Sequence, residues 1–254
     1  MRLLALDTTT RHASAALVDG DRTIGLWSSD PARAHAEQLP LGLIEMIDNA
    51  DRTGKAGEAG KAGEAGRVGG LNAVDVFAVA VGPGSFTGLR IGIATIQGLA
   101  FAGGKKIVPV SALDALASSA AGKAEGRGEV VVAAWMDAHR GEVFSGLYRC
   151  RAGVAWQPPT PIEDAAAADP HTVLARWKNN GHGPAICAGD GAVLYRDLLP
   201  AGIVVIPPAP LAEAVAWLAL DRALAGQTID PAAVQPLYVR RPDVEIARDA
   251  RLAD

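Results

Sequence analysis

The feature that most constrains this chain is a repeat of plan rather than of letters. A strand, "LLALD", ends at Asp7, turns, and is followed by a second strand, "ASAALV". Farther on come a strand, "VAVG", the pair Gly82 and Gly84, and a helix. The second half repeats the order. "EVVVAAWMD" ends at Asp137, "EVFSGLY" returns, and "AICAG" leads through Gly189 and Gly191 into a helix. Each half is therefore a hairpin with Asp at its bend, followed by a β-Gly-x-Gly-α unit. This predicts two similar α/β lobes with a cleft between them. The boundary is expected near Lys106–Ser111, where "KKIVPVS" enters the second lobe, giving lobes 1–107 and 108–254.

That plan is the architecture of the actin, Hsp70 and sugar-kinase (ASKHA) group, in which paired Asp hairpins face the phosphates of ATP across the cleft. Other elements fit it. "HASAALVDGDRTIGLWSS" reads as a hairpin turning at Asp19-Gly20-Asp21. Arg33–Ala50 reads as a helix with Leu39, Leu43, Met46 and Ile47 on one face, which Pro40 should kink or start late. Leu211–Gly226 reads as an amphipathic helix. "KAGEAG" occurs twice in succession, at 55–60 and 61–66. Glycine in every third place makes a poor helix, so Thr53–Gly70 is expected to be a loop.

The net charge of −4 makes the surface no general bait for nucleic acid. "MRLLALDTTT" meets Asp7 too early for a signal peptide, and no run of about 18 apolar residues spans a membrane. Two cysteines, Cys150 and Cys187, without metal spacing, fit a reduced cytoplasmic protein.

A phosphate-binding hairpin favours Gly directly after the Asp, so that backbone can approach the anion. Thr8 stands there in the first turn and Ala138 in the second, with Gly141 only at the end of the bend. The hydroxyls of Thr8, Thr9 and Thr10 can meet an anion, but tying down the turn is their expected role. Arg140 can meet a phosphate, or pair with Asp137 or Glu142. "GPGSFTG", Gly82–Gly88, is no P-loop, since Leu89 and Arg90 follow instead of Lys-Ser/Thr. Capping of the next helix by Ser85 or Thr87 explains the loop without an anion.

From Gly88 to Gly103 only Arg90, Thr95 and Gln97 are polar. Leu89, Ile93, Ile96 and Ala100 share one face. Ile91, Thr95, Gly98, Leu99 and Ala102 share nearly the opposite one, with Gly88 and Gly92 beside them. A helix apolar on two faces is buried on two sides. The branched face suits the sheet; the small face suits another helix. Leu41 and Ile44 give the preceding helix a second apolar pair, so a subunit interface is the expectation. Its candidate residues are Leu39, Leu43, Ile91, Thr95, Gly98, Leu99 and Ala102. The five histidines, His12, His35, His139, His171 and His182, include no i, i+4 ligand pair. No metal, cofactor or catalytic residue is assigned.

"LALDTTT", "RAHAEQLP", "AVAVGPGSFTGLRIGIATIQGLA", "VSALDALA", "MDAHRGEVFSGLY" and "PLYVRRP" closely resemble the TsaB (YeaZ) family, over Met1 to about Pro242. The resemblance implies an accessory subunit for bacterial threonylcarbamoyladenosine synthesis, a modification beside the anticodon of tRNAs reading codons that begin with A. It implies a direct partner, the catalytic paralogue TsaD, which holds a metal through a His-x-x-x-His pair. TsaC makes the adenylate, and TsaE acts through the complex. It implies tRNA contact only within that complex, and a pairing surface on helices Arg33–Ala50 and Gly88–Gly103. Where TsaD has its His pair, this chain has His35 and Leu39. Self-pairing in the absence of TsaD stays open. The alternatives are a small-molecule kinase of the same fold and a metal-dependent transferase acting alone.

Overall fold

The computed structural model describes residues 1–30, 35–57 and 70–240. The first half contains β1 (Arg2–Asp7), β2 (Ser14–Asp19), β3 (Arg22–Ser28), α1 (His35–Gly57), β4 (Val76–Gly82), α2 (Phe86–Ala102), β5 (Lys106–Ser111) and α3 (Ala112–Gly122). The second contains β6 (Glu129–Asp137), β7 (Val143–Arg151), β8 (Thr160–Ala168), α4 (Pro170–Asn179), β9 (Ile186–Ala188), α5 (Asp190–Leu194), β10 (Val204–Ile206) and α6 (Ala212–Leu224).

The two sheets have the same order, β3-β2-β1-β4-β5 and β8-β7-β6-β9-β10. In each, three antiparallel strands are extended by two parallel ones. The expected repeat is thus a repeat of topology, and the fold is two lobes of the ASKHA type.

Side-chain alternation sets the layers. On β1, Leu4 and Leu6 face a core with α1 and α2, while Leu3 and Ala5 face a core with α3 and α6. On β6, Val132 and Ala134 join that same central core. Ala133 and Trp135 turn outward to Val173 and Trp177 of α4 and Ala192 of α5. The order is helices, sheet, helices, sheet, helices. Hence α1 and α2 form an outermost layer, and α3 and α6 lie between the sheets. Among the described residues no helix is long and apolar enough to cross a membrane.

Three expectations change. The division at 107/108 falls inside β5, which pairs with β4 from Val76↔Lys106 to Gly82↔Ser111 and so belongs wholly to the first sheet. A buried apolar strand reads alike in either lobe; hydrogen bonding to β4 decides. Helix α1 runs through Pro40 and on to Gly57, into the expected loop, because extending a packed helix is far easier than starting one. The rest of that insert, 58–69, lies outside the described residues. The last helix returns to the first lobe, with Leu218 and Ala219 in the core against its sheet.

Candidate protein interface

The glycine loop is explained by packing against the β1–β2 turn. Ser85 caps α2, its hydroxyl accepting from Gly88 N at 3.2 Å. Gly84, just before the cap, and Gly88 and Gly92 within α2 are spaced by four and all face the β1–β2 turn. A Cβ on Gly84 would overlap Thr9, and one on Gly88 or Gly92 would overlap Thr8. Thr8 Oγ1 donates to the Gly88 carbonyl at 2.7 Å, and Ser85 N donates to the Thr9 carbonyl at 2.8 Å. Thr9 donates from both its backbone and its hydroxyl to Asp7 Oδ1, at 2.9 and 2.6 Å. Asp7, Thr8 and Thr9 are buried. The threonines thus tie down the turn and fill the space against the start of the helix. Gly88 and Gly92, expected beside the small outer face, are covered by Thr8 instead.

The second lobe uses glycine for the same reason. A Cβ on Gly189 would overlap the Trp135 carbonyl, and Gly191 also lies against Trp135 and Met136. Asp190 Oδ1 accepts from Asp137 N and from Gly191 N, both at 2.9 Å. At the β6–β7 bend, His139 and Arg140 both have positive φ, 59° and 56°. His139 Nδ1 lies 3.2 Å from Asp137, while Glu142 pairs with Arg240 at 2.8 Å.

The sheet-facing side of α2 is as expected: Leu89, Ile93, Ile96 and Ala100 are buried. Gln97 is occupied too, donating to the Pro231 carbonyl at 2.8 Å. Outward, Ala94, Gly98, Phe101 and Ala102 are exposed, and Ile91, Thr95 and Leu99 are half-buried. A Cβ on Gly98 would meet nothing within 4 Å. Phe101, absent from the sequence candidates, is 83% exposed. Between Arg90 and Lys105 this helix carries no charge.

On α1 the candidates need correction. Leu39 and Leu43 are 2% and 5% exposed and belong to the core of the first lobe, so they offer no surface. They share the sheet-facing stripe with Met46, Ile47 and Ala50. Leu41 and Ile44, on the opposite side, are 65% and 54% exposed. The helical periodicity already separated the two pairs. The open face of the outer layer is thus Leu41 and Ile44 with Ala94, Gly98, Phe101 and Ala102. Among the described residues no three His, Cys, Asp or Glu side chains are grouped to hold a metal ion.

Solved structures share the overall fold. The structure of YeaZ from Pseudomonas aeruginosa is 30% identical, with a TM-score of 0.71 over 93% of this chain and 99% of that one. The chain belongs to the TsaB/YeaZ family. The Escherichia coli K12 tRNA threonylcarbamoyladenosine biosynthesis protein TsaB is 29% identical over 94% of this chain and 95% of its own. The Haemophilus influenzae protein of the same description is 35% identical over 57% of this chain and 52% of its own. Residues 69–187 also match the family model described as TsaD, tRNA N6-adenosine threonylcarbamoyltransferase. In this TsaB/YeaZ member that stretch runs from the turn before β4 into β9, and contains both the capped glycine loop and the open face of α2.

Proposed function

We propose that this chain is the non-catalytic pairing subunit of the bacterial apparatus that places the threonylcarbamoyl group on N6 of the adenosine beside the anticodon. The observation that carries the reading is the uncharged, open face of α2 around Gly98, in the same outermost layer as the exposed Leu41 and Ile44 of α1. An apolar helix face of this kind is what a partner helix covers. The partner is TsaD, whose family model matches this chain's own central stretch. A pseudo-symmetric pair, each subunit giving the same two helices, follows from that kinship. TsaE and tRNA join through the assembled complex in the cytoplasm. The packing of Thr8 and Thr9 against Gly84, Gly88 and Gly92 weighs against the kinase alternative, since phosphates need that space.

The test is Gly98→Arg, measured by thermal melting and by co-elution with TsaD. Since the added side chain meets open space, the melt should stay within about 2 °C of wild type, as a surface change of about 0.5 kcal/mol implies. Co-elution should be lost, because a charge would be buried without a partner. Retained co-elution would place the partner elsewhere. A parallel incubation of the lone protein with threonylcarbamoyl adenylate, metal and tRNA should yield no modified adenosine; product formed without TsaD would overturn the non-catalytic reading.

A further inference from the structure

After α6 the chain does not stop at the first lobe. Ile229 exchanges two backbone hydrogen bonds with Ile107 of β5, at 3.0 and 2.9 Å. Asp230 pairs with Lys106 at 2.6 Å. Gln97 of α2 holds the Pro231 carbonyl, and Val234 is buried in the core beneath α1 and α2. Leu237 N donates to the Val81 carbonyl at 2.7 Å. The Leu237 carbonyl lies 2.8 Å from where a Cβ on Gly82 would stand, so only glycine admits the crossing chain. Tyr238 packs on Phe86 with ring centroids 5.4 Å apart, and the Arg90 guanidinium sits 3.8 Å from the Phe86 centroid. Val239 packs against the central core, to which both lobes contribute. Arg240 then reaches Glu142, in the β6–β7 bend of the second lobe, at 2.8 Å.

The decisive step is the last one. Leu237 is bonded to the first lobe, and Arg240, three residues later, to the second. Three residues span at most about 11 Å of extended chain. The end of β4 and the β6–β7 bend are thereby tethered to each other. The lobes are also joined in the middle layer, where Leu113 and Leu116 of α3 and Val215 and Leu218 of α6 share one buried core with Ala5 and Ala78 of the first sheet and Val132 and Ala134 of the second. One attachment alone leaves two lobes free to hinge; a second, separated from it, removes that freedom.

We propose that residues 229–240 are an inter-lobe latch, holding the cleft at one angle with the chain's own backbone. A bound ligand does the same in two-lobed proteins that close upon it. The latch passes over Gly82 at the end of β4 and ends on Glu142, so it spans from the glycine loop to the β6–β7 bend. It concerns the angle between the lobes and does not depend on which protein covers α2.

The experiment uses the full chain without a partner. Arg240→Glu and Glu142→Arg each place like charges at this contact, and the double reversal restores an opposite pair. Amide hydrogen exchange at 237–239 and at 138–142 should rise about tenfold in each single variant, as expected for local opening. Amides of α3 and α6 should be unchanged. X-ray scattering should show a larger radius of gyration in the single variants, and the double variant should regain wild-type exchange and radius. Unchanged exchange in the single variants, a uniform rise across the chain, an unchanged radius, or a double variant that stays open would each overturn the latch. Since both changes lie at half-buried side chains, neither removes a core residue.

Discussion

Thr8 and Gly88 are eighty residues apart in the chain, and the hydroxyl of one donates to the carbonyl of the other at 2.7 Å. The contact exists because α2 carries hydrogen atoms, not methyl groups, where the β1–β2 turn crosses it.

It follows that equivalent-looking glycines on α2 should respond oppositely. Gly92→Ala drives a methyl into Thr8 and should destabilise by roughly 1–3 kcal/mol, the usual cost of overpacking. For a chain of this length that lowers the melting temperature by about 2–4 °C per kcal/mol. Gly98→Ala meets open space and should instead stabilise by up to about 1 kcal/mol, the helix propensity difference. Parallel thermal melts check both; equal effects would contradict the assigned faces.

The two apolar pairs of α1 should separate fold from pairing. Leu41→Asp and Ile44→Asp should leave the melt near wild type and weaken TsaD binding by roughly 30-fold or more each, the range of a hot-spot residue. Leu39→Asp buries a charge in the core and should abolish the folded state. Calorimetric titration with TsaD, beside circular dichroism, distinguishes these outcomes.

Removing Lys55–Gly66 should be tolerated, since residues 67–69 still join the shortened α1 to Gly70. Asp51, near the end of α1, accepts from Arg2 Nη1 at 2.8 Å and from Gly70 N, so the two stems of the insert meet on one carboxylate. Loop-closure entropy changes by only about 0.6 kcal/mol per halving of length. Asp51→Ala, which strips both donors of a charged acceptor, should cost more, about 2 kcal/mol. Urea unfolding of both variants tests the ranking.

Alkali should weaken the fold through buried thiols. Burial pushes the Cys187 thiol well above its ordinary range and the Cys150 thiol up to about 12. The unfolded thiols titrate near 8.5. Below that, both states hold the proton and the contribution is constant. As pH rises beyond it, the unfolded chain loses the proton first, and stability falls by up to about 1.4 kcal/mol per pH unit for Cys187. Urea midpoints from pH 8 to 10.5 should decline, and Cys187→Ala should flatten the slope. An unchanged slope would show that the thiol ionises as readily folded as unfolded.

The sequence by itself determined the repeat of plan and hence the two-lobed fold. Period-2 and fully apolar runs fixed β1, β2, β3, β4, β6 and β7, because burial on one or both sheet faces leaves a local signature. It also marked Gly98 and Ala102 as a small-residue face. It did not reveal β8, whose "TPIEDAAAA" has neither alternation nor strong strand propensity and is a strand because β7 pairs with it. It separated Leu39 from Leu41 by helical period, but it did not show which of the two faces is covered, nor distinguish Gly92 from Gly98. Only the tertiary structure decided which helix face is covered, which lobe owns β5 and α6, and that Arg240 reaches Glu142 in the second lobe. Each of those depends on contacts between residues far apart in sequence. The loss of one methyl group reads the same in the sequence whether it admits a crossing turn or leaves a helix face bare.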